Sequence, residues 1–433
     1  MSSRVVKWLI LASVLLIAFP VVAGASTARV AGLGIQGDYI KDYTGVYTYL
    51  SNMCCIGNVV YGELGNWNSD SQTDDRAVGA FISNLWDGKY GAFGIHLREE
   101  ITQLGQGDAN TPVDADGAWD ANSNTNHSID LMWGKKFGSI NVGLQLNRAY
   151  GRLEGDPLIY DGGYYGIYND IKGDVYNTYG PVDLNYNRNV MGFGGGLGFE
   201  VSPKFTLETS VLYQSRTFLA KDTTGAQYTN DGSGAYLLAA RGMWQWQPNV
   251  LVIPVVRYFS TTSKVKYEDP NAEEPLTDAQ KTPIDDSRSG WQAGLAGNWT
   301  LNQNDLFVLG GTFGATTYKY KNSVDGLSDY KYEDSYMPTL FAALETHVNS
   351  WLTLRFGAMQ GAFYTEKTTN NITKNVTKDH YSWFNMMLGA GVKLGTLQLD
   401  ATLDPDFVHN GPYLISGEST STMFPKVTAT YTF

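Results

Sequence analysis

The sequence predicts an all-β fold, a closed antiparallel transmembrane β-barrel of about sixteen strands behind a secretory leader. Three observations carry this expectation: segments of about ten residues that alternate apolar and polar side chains, connections that alternate short and long, and no run of 18 apolar residues after the N-terminus. A helical span needs about 20 apolar residues, so a mature chain that crosses lipid has to do so with strands. Fourteen strands is the alternative, because the first two segments are short.

Composition points the same way. The 433 residues are 13% aromatic and 17% charged and include 48 glycines, and the mean hydropathy is -0.24. A barrel accommodates such a chain by turning apolar residues outward at alternate positions and polar residues toward a lumen. The same length would otherwise make two or three soluble domains.

The elements follow in chain order. Arg4 and Lys7 form a basic n-region, Trp8 to Ala18 an apolar core, Pro20 a helix break, and Ala23-Gly24-Ala25 a small-residue cleavage site. Residues 1–25 therefore read as a signal peptide cut after Ala25. Without it, 29 basic residues face 43 acidic ones and the net charge is about -14, which argues against nucleic acid as a partner. The two cysteines, Cys54 and Cys55, are adjacent and have no zinc spacing around them. A ring-closing vicinal disulfide is strained, so they read as minor core residues. No lipoprotein cysteine follows the leader.

Residues 26–57 form a separate N-terminal segment. Within it Gly32-Leu33-Gly34-Ile35-Gln36-Gly37 fits the dinucleotide pattern GxGxxG. No strand precedes it and no βαβ unit follows, so no cofactor is expected and the glycines serve a tight, irregular stretch.

Residues 58–433 form the barrel. Strands are expected near 58–64, 77–85, 90–98, 127–135, 140–152, 186–201, 205–219, 234–247, 250–263, 288–300, 305–318, 335–348, 351–365, 380–394, 397–404 and 423–433. In the clearest, Ile140, Val142, Leu144 and Leu146 face one way and Asn141, Gly143, Gln145 and Asn147 the other; Leu397, Leu399, Ala401 and Leu403 alternate in the same way with Gln398, Asp400, Thr402 and Asp404. The polar or small face is expected to line the lumen. Short turns fall at Asp87-Gly88, Lys136-Phe137-Gly138, Ser202-Pro203-Lys204, Pro248-Asn249, Asn302-Gln303-Asn304, Asn349-Ser350 and Gly395-Thr396. Longer polar loops fall at about 99–126, 153–185, 220–233, 264–287, 319–334, 366–379 and 405–421. With Phe433 in the periplasm and an even strand count, every short turn is periplasmic and every long loop extracellular.

The last strand is the most specific motif. Val427, Ala429, Tyr431 and Phe433 alternate with Lys426, Thr428, Thr430 and Thr432. This resembles the closing strand of Gram-negative outer-membrane β-barrels, porin-like proteins whose final strand ends in Phe. The resemblance implies residence in the bacterial outer membrane among lipid and lipopolysaccharide, and recognition of Tyr431 and Phe433 by the barrel-assembly machinery. Trp133, Trp244, Trp246, Trp291, Trp299, Trp351 and Trp383 lie near strand ends, as an interfacial aromatic girdle requires. A second resemblance covers about 25 residues after the cleavage site: Ala28-Arg29-Val30-Ala31-Gly32-Leu33-Gly34, Asp42 and Val46-Tyr47 are similar to the N-terminal segment of the fatty-acid-transporter type of barrel. It implies a plug inside the barrel and transport of hydrophobic compounds, although Leu50-Ser51-Asn52 stands where that family carries Asn-Pro-Ala.

Phase-matching the strands puts Arg98, Arg216, Arg241, Arg257, Arg355, Lys393 and Lys426 on the lumen face with Asp130, Glu208, Glu345 and Asp400. Such rows either set a transverse field that selects solutes or pair as structural ion pairs bracing the wall. Gly192, Gly194, Gly196 and Gly198 share one face of a strand, which bends the strand or opens room for a plug, bending being the simpler reading. Asp108, Asp114, Asp116, Asp120 and Asn122 imitate a calcium loop but lack a closing Glu, so no metal is expected and the segment reads as a solvated acidic loop. His96, His127, His347, His380 and His409 are scattered and none sits beside a nucleophile motif, so no enzyme is expected. The function expected is a pore for diffusion of small solutes. The alternatives are a transporter for hydrophobic compounds, a non-conducting surface adhesin or receptor, and a barrel hydrolase. The oligomeric state is left open.

Overall fold

The computed structural model describes residues 26–65, 76–98, 128–155, 184–221, 227–230, 232–272, 275–277, 281–282, 284–302, 305–322, 328–404, 408 and 423–433. The expected leader, residues 1–25, and the acidic loop at 108–122 lie outside the described residues. The strands are β1 (Val59–Leu64), β2 (Ala77–Ile82), β3 (Ala92–Arg98), β4 (Ser128–Phe137), β5 (Ile140–Gly155), β6 (Leu184–Ser202), β7 (Phe205–Lys221), β8 (Gln227–Asn230), β9 (Gly234–Gln247), β10 (Val250–Glu268), β11 (Ile284–Thr300), β12 (Leu306–Asn322), β13 (Ser328–His347), β14 (Leu352–Asn370), β15 (Val376–Leu394), β16 (Leu397–Leu403) and β17 (Val427–Thr432). Both β8 and β9 pair with β7 and with β10, so together they are one interrupted strand of the wall. The wall therefore has sixteen antiparallel strands. It closes where β17 pairs with β1, from Val59 opposite Thr432 to Leu64 opposite Val427. Closure leaves no unpaired strand edge in lipid, where an unpaired backbone group costs several kcal/mol.

Outward positions form an apolar belt. On β5, Ile140, Leu144 and Leu146 are exposed while Asn141, Gln145 and Asn147 are buried, as the alternation requires. Two aromatic rows bound this belt. Tyr213, Tyr236, Tyr258 and Trp291 lie toward the outer side on four neighbouring strands, and Trp244, Trp246, Trp351 and Tyr431 lie beside the short turns. Ten residues separate Tyr236 from Trp246 on β9. At about 3.4 Å per residue and a tilt of about 40°, the rows stand ~26 Å apart along the barrel axis, the height of a lipid-facing band. Trp383 departs from the expected girdle: it shares the inward phase of Gly389 and Gly391 and packs over Gly361.

Several strands run beyond their expected outer ends. The expected loop at 366–379 is mostly strand, because β14 continues to Asn370 and β15 starts at Val376. Likewise β12 reaches Asn322 and β13 starts at Ser328. Polar composition there means departure from lipid rather than departure from the ladder. Outside the belt both faces are solvated, and cross-strand ion pairs such as Lys367 with Glu333, 2.6 Å, line the extensions.

The lumen is filled. Residues 26–56 are almost entirely buried inside the wall. Helix α1 (Thr27–Leu33) starts at Ser26, whose hydroxyl accepts a hydrogen bond from the Arg29 backbone N–H at 3.0 Å, and stops at Gly34 with φ 59°. Three 3₁₀ turns follow at Gly37–Tyr39, Tyr43–Tyr47 and Leu50–Cys55. The lumen face is also less polar than expected. Tyr61, Phe81 and Met132 of the wall pack on Tyr43, Val46, Tyr47 and Met53 of the plug, and Ile253, Val255, Val308 and Phe341 pack on Leu33, Ile35, Tyr39 and Ile40. An occupied lumen permits apolar inward residues that a water-filled one would penalise.

Candidate functional site

Period-two geometry sends every second wall side chain inward, and the helix and turns of the plug meet them from the axis. The result is a set of buried polar locks on different sides of the barrel. On β13, Glu345 accepts hydrogen bonds from Arg29 Nε at 2.7 Å and Nη2 at 2.8 Å, a bidentate grip on the plug. The same carboxylate accepts from Arg355 Nε of β14 at 2.7 Å. Arg355 Nη2 continues to Asp400 of β16 at 2.8 Å, and Asp400 accepts from the Ser26 hydroxyl at 2.9 Å. Thr27 donates to Glu63 of β1 at 2.7 Å.

Across the lumen, Arg241 of β9 forms the second lock. Its Nε donates to Glu208 of β7 at 2.6 Å, its Nη1 donates to the carbonyls of Asp38 at 2.9 Å and Ile40 at 3.2 Å, and its guanidinium lies 4.1 Å from the Tyr49 ring centre. Arg257 of β10 pairs with the Asp38 carboxylate. Neutral contacts add to these: Asn298 donates to the Tyr39 carbonyl at 2.8 Å and the Leu50 N–H donates to Ser210 at 3.2 Å. A buried charge requires a partner, and these locks pair the charges of plug and wall with each other.

Within the plug, Arg29 also faces Asp42 at 3.6 Å. Burial works against the Arg29 charge, but Glu345 and Asp42 outweigh it and hold its pKa above the usual guanidinium range. Burial raises the Asp42 carboxyl, against the opposing pull of Arg29 and the Thr44 hydrogen bonds.

The expected lumen residues thus divide. Glu208, Arg241, Arg257, Glu345, Arg355 and Asp400 face inward and are buried against the plug or each other, so they brace a filled interior rather than line an open channel. Asp130 is also inward, accepting from Gln145 at 3.0 Å and Asn147 at 2.6 Å, with His96 Nδ1 at 3.2 Å. Lys393 is exposed beside the short turn at Gly395, and Lys426 is half-buried where its backbone N–H donates to Thr402 at 2.9 Å. The side chains of Arg98 and Arg216 lie outside the described residues.

The glycine row on β6 serves the plug more than a bend. A Cβ at Gly194 would stand 2.7 Å from a Leu50 methyl, one at Gly196 2.9 Å from the Ser51 nitrogen, and one at Gly198 3.1 Å from the Ser51 hydroxyl; Gly192 instead meets Gln214 and Asn147. Sequence reasoning missed the plug's own partners, Arg29, Asp38 and Asp42. The available signal was the presence of charges in a segment otherwise apolar, small or aromatic.

Between the plug and the short turns lies a cavity of about 930 Å³, with Thr300, Asp305, Asn349 and Ser350 among its lining residues and the Arg29–Glu345–Arg355 lock on its wall. The expected periplasmic placement of those turns puts it on that side.

The closed sixteen-strand wall with an apolar belt is the fold of an outer-membrane β-barrel, here with its lumen occupied by its own N-terminal segment. No protein-family model matches the chain, and no curated protein sequence does. Among solved structures, it is similar to the ferric preacinetobactin receptor BauA of Acinetobacter baumannii, at 13% identity and a TM-score of 0.43, covering 80% of this chain and 53% of that one. It is similar to a Pseudomonas aeruginosa FadL homologue, at 13% identity and 0.41, covering 94% and 98%. It is similar also to the Ralstonia pickettii toluene transporter TbuX, at 11% and 0.35, covering 95% and 97%. The chain thus spans about half the length of the first of these and nearly the whole of the other two.

Proposed function

We propose that this protein is a gated channel of the bacterial outer membrane, passing small solutes when its N-terminal plug is displaced or rearranged. The observation that carries this reading is that, apart from its continuation into β1, the plug is held by ion pairs and hydrogen bonds to the wall, with no disulfide among the described residues. Such contacts break and re-form without covalent chemistry, so removing or competing for one partner shifts the balance between plugged and open states. No catalytic step forms part of this reading. Lipid and lipopolysaccharide are the proposed surroundings, and the barrel-assembly machinery is the proposed reader of Tyr431 and Phe433.

Planar-bilayer recording tests it. The mature protein is expected to be mostly silent, and a variant lacking residues 26–56 to conduct strongly while still shifting its gel mobility on heating, the mark of a closed barrel. Silence of both, each heat-modifiable, would replace the channel reading with the adhesin or receptor scaffold.

A second reading, passage of hydrophobic compounds, has its own support. The seam between plug and wall is lined by Tyr43, Tyr47, Met53, Tyr61, Phe81 and Met132. In addition, the ladder is interrupted across neighbouring strands at Phe313, Met337-Pro338 and Ala362-Phe363, where proline has no N–H to donate. Uptake of an apolar dye into vesicles without swelling in sugar solutions would favour this route; swelling with sugars favours the aqueous one.

A further inference from the structure

We propose that the cavity beside the plug is a binding site for a small organic anion carrying carboxylate or phosphate groups, clamping plug to wall from the periplasmic side. Arg29, Lys41, Arg355 and Lys393 line it together with two carboxylates, Asp305 and Glu345. The Arg355 side chain is 1% exposed. Its Nε is taken by Glu345 and its Nη2 by Asp400, but its buried Nη1 has no hydrogen-bond partner. A guanidinium N–H fixed in direction by two carboxylates and left unpaired is a donor prepared for an oxyanion.

Gly391 leaves the space beside the guanidinium free of a side chain. A Cβ there would stand 2.9 Å from Arg355 Nη2 and 3.0 Å from Nη1, so any side chain would crowd the fork. Around the same space Ser350 and Thr353 offer neutral donors, while the Gln398 amide already donates to Asp400 at 3.0 Å. Exposed Lys41 and Lys393 are strongly hydrated point charges that suit a second anionic group of the same ligand. The volume of about 930 Å³ corresponds to ~30 waters at roughly 30 Å³ each, ample for a tricarboxylate or a sugar phosphate.

The site is built from both bodies. Arg29 and Lys41 belong to the plug, and Thr353, Arg355 and Lys393 to β14 and β15. An anion bridging them therefore stabilises the plugged state by mass action. Binding does not require the barrel to conduct, so its outcome is independent of the channel reading.

The test is calorimetric titration of the purified full chain with sodium citrate and, separately, inorganic phosphate, against chloride at equal ionic strength, with thermal unfolding alongside. Saturable binding at one site per chain is expected for at least one anion, with a rise in the unfolding midpoint. The double variant Lys41→Gln/Lys393→Gln, at exposed positions that leave the buried locks intact, is expected to weaken it by about tenfold or more. Lys378→Gln, exposed on the outer extension of β15, is expected to leave it unchanged. Binding of phosphate alone or citrate alone assigns the preferred headgroup. Absence of saturation with both anions, or equal affinity in the double variant, overturns the proposal.

Discussion

Replacing Glu345 by Gln is the most direct test of the lock. Glu345 accepts two bonds from Arg29 and one from Arg355, at 2.7, 2.8 and 2.7 Å, and all three side chains are nearly inaccessible to solvent. Removing one member of a buried ion pair costs about 3–5 kcal/mol, because the remaining charge stays desolvated. Here each arginine keeps a second carboxylate, Arg29 at 3.6 Å from Asp42 and Arg355 at 2.8 Å from Asp400, which places the cost near the lower end. About 3 kcal/mol is about a hundredfold in an equilibrium at 1.4 kcal/mol per decade. Because plug and wall are separate bodies, part of that penalty is relieved when the plug leaves and the arginines meet water, so the plugged-to-open ratio should fall by up to this factor. The assay is open probability in planar bilayers, with heat-modifiability showing that the barrel remains closed. Arg29→Gln leaves Glu345 paired with Arg355 and should open the barrel less. Wild-type silence in Glu345→Gln, with the barrel intact, would refute the assignment of this carboxylate as a plug lock.

Two further outcomes follow from other contacts. Gly143→Val should loosen the plug without opening the sheet, since any Cβ at this position overlaps the Leu50 carbonyl group and stands 2.9 Å from the Ser51 nitrogen; protease cleavage within residues 26–57 should rise, and unchanged resistance would contradict the close approach. Cys55 is exposed, and the hydrogen bond with Cys54, Sγ to Sγ 3.2 Å, is the main influence lowering its thiol to about 7, with help from Lys41 and Lys136. Its thiolate therefore dominates above that pH and is lost below it, so maleimide labelling should be half-maximal near pH 7, moving toward about 8.5 in Cys54→Ala; an unmoved midpoint would rule out that cause.

How much of this was legible in the sequence depends on the range of each interaction. The strand count, the inward Asn141, Gln145 and Asp400, and the outward Leu144 and Leu399 all follow from alternation within about ten residues. Strand ends were less legible at 319–334 and 366–379, because polarity marks the lipid boundary and the ladder continues past it. Inward Phe81, Ile253 and Phe341 also escaped the reading, since their environment is a plug rather than water. The glycines of β6 were visible as a row, but their use was not.

What the sequence by itself determined is therefore the wall: lipid on one side imposes a period of two, and that period is written locally in residues such as Ile140 to Asn147. What only the tertiary structure decided is the state of the interior. Arg29 meets Glu345 across 316 residues of chain, and Asp38 meets Arg257 across 219. Such pairs depend on where closure of the whole barrel delivers each side chain, and neither partner's neighbours in the chain record it.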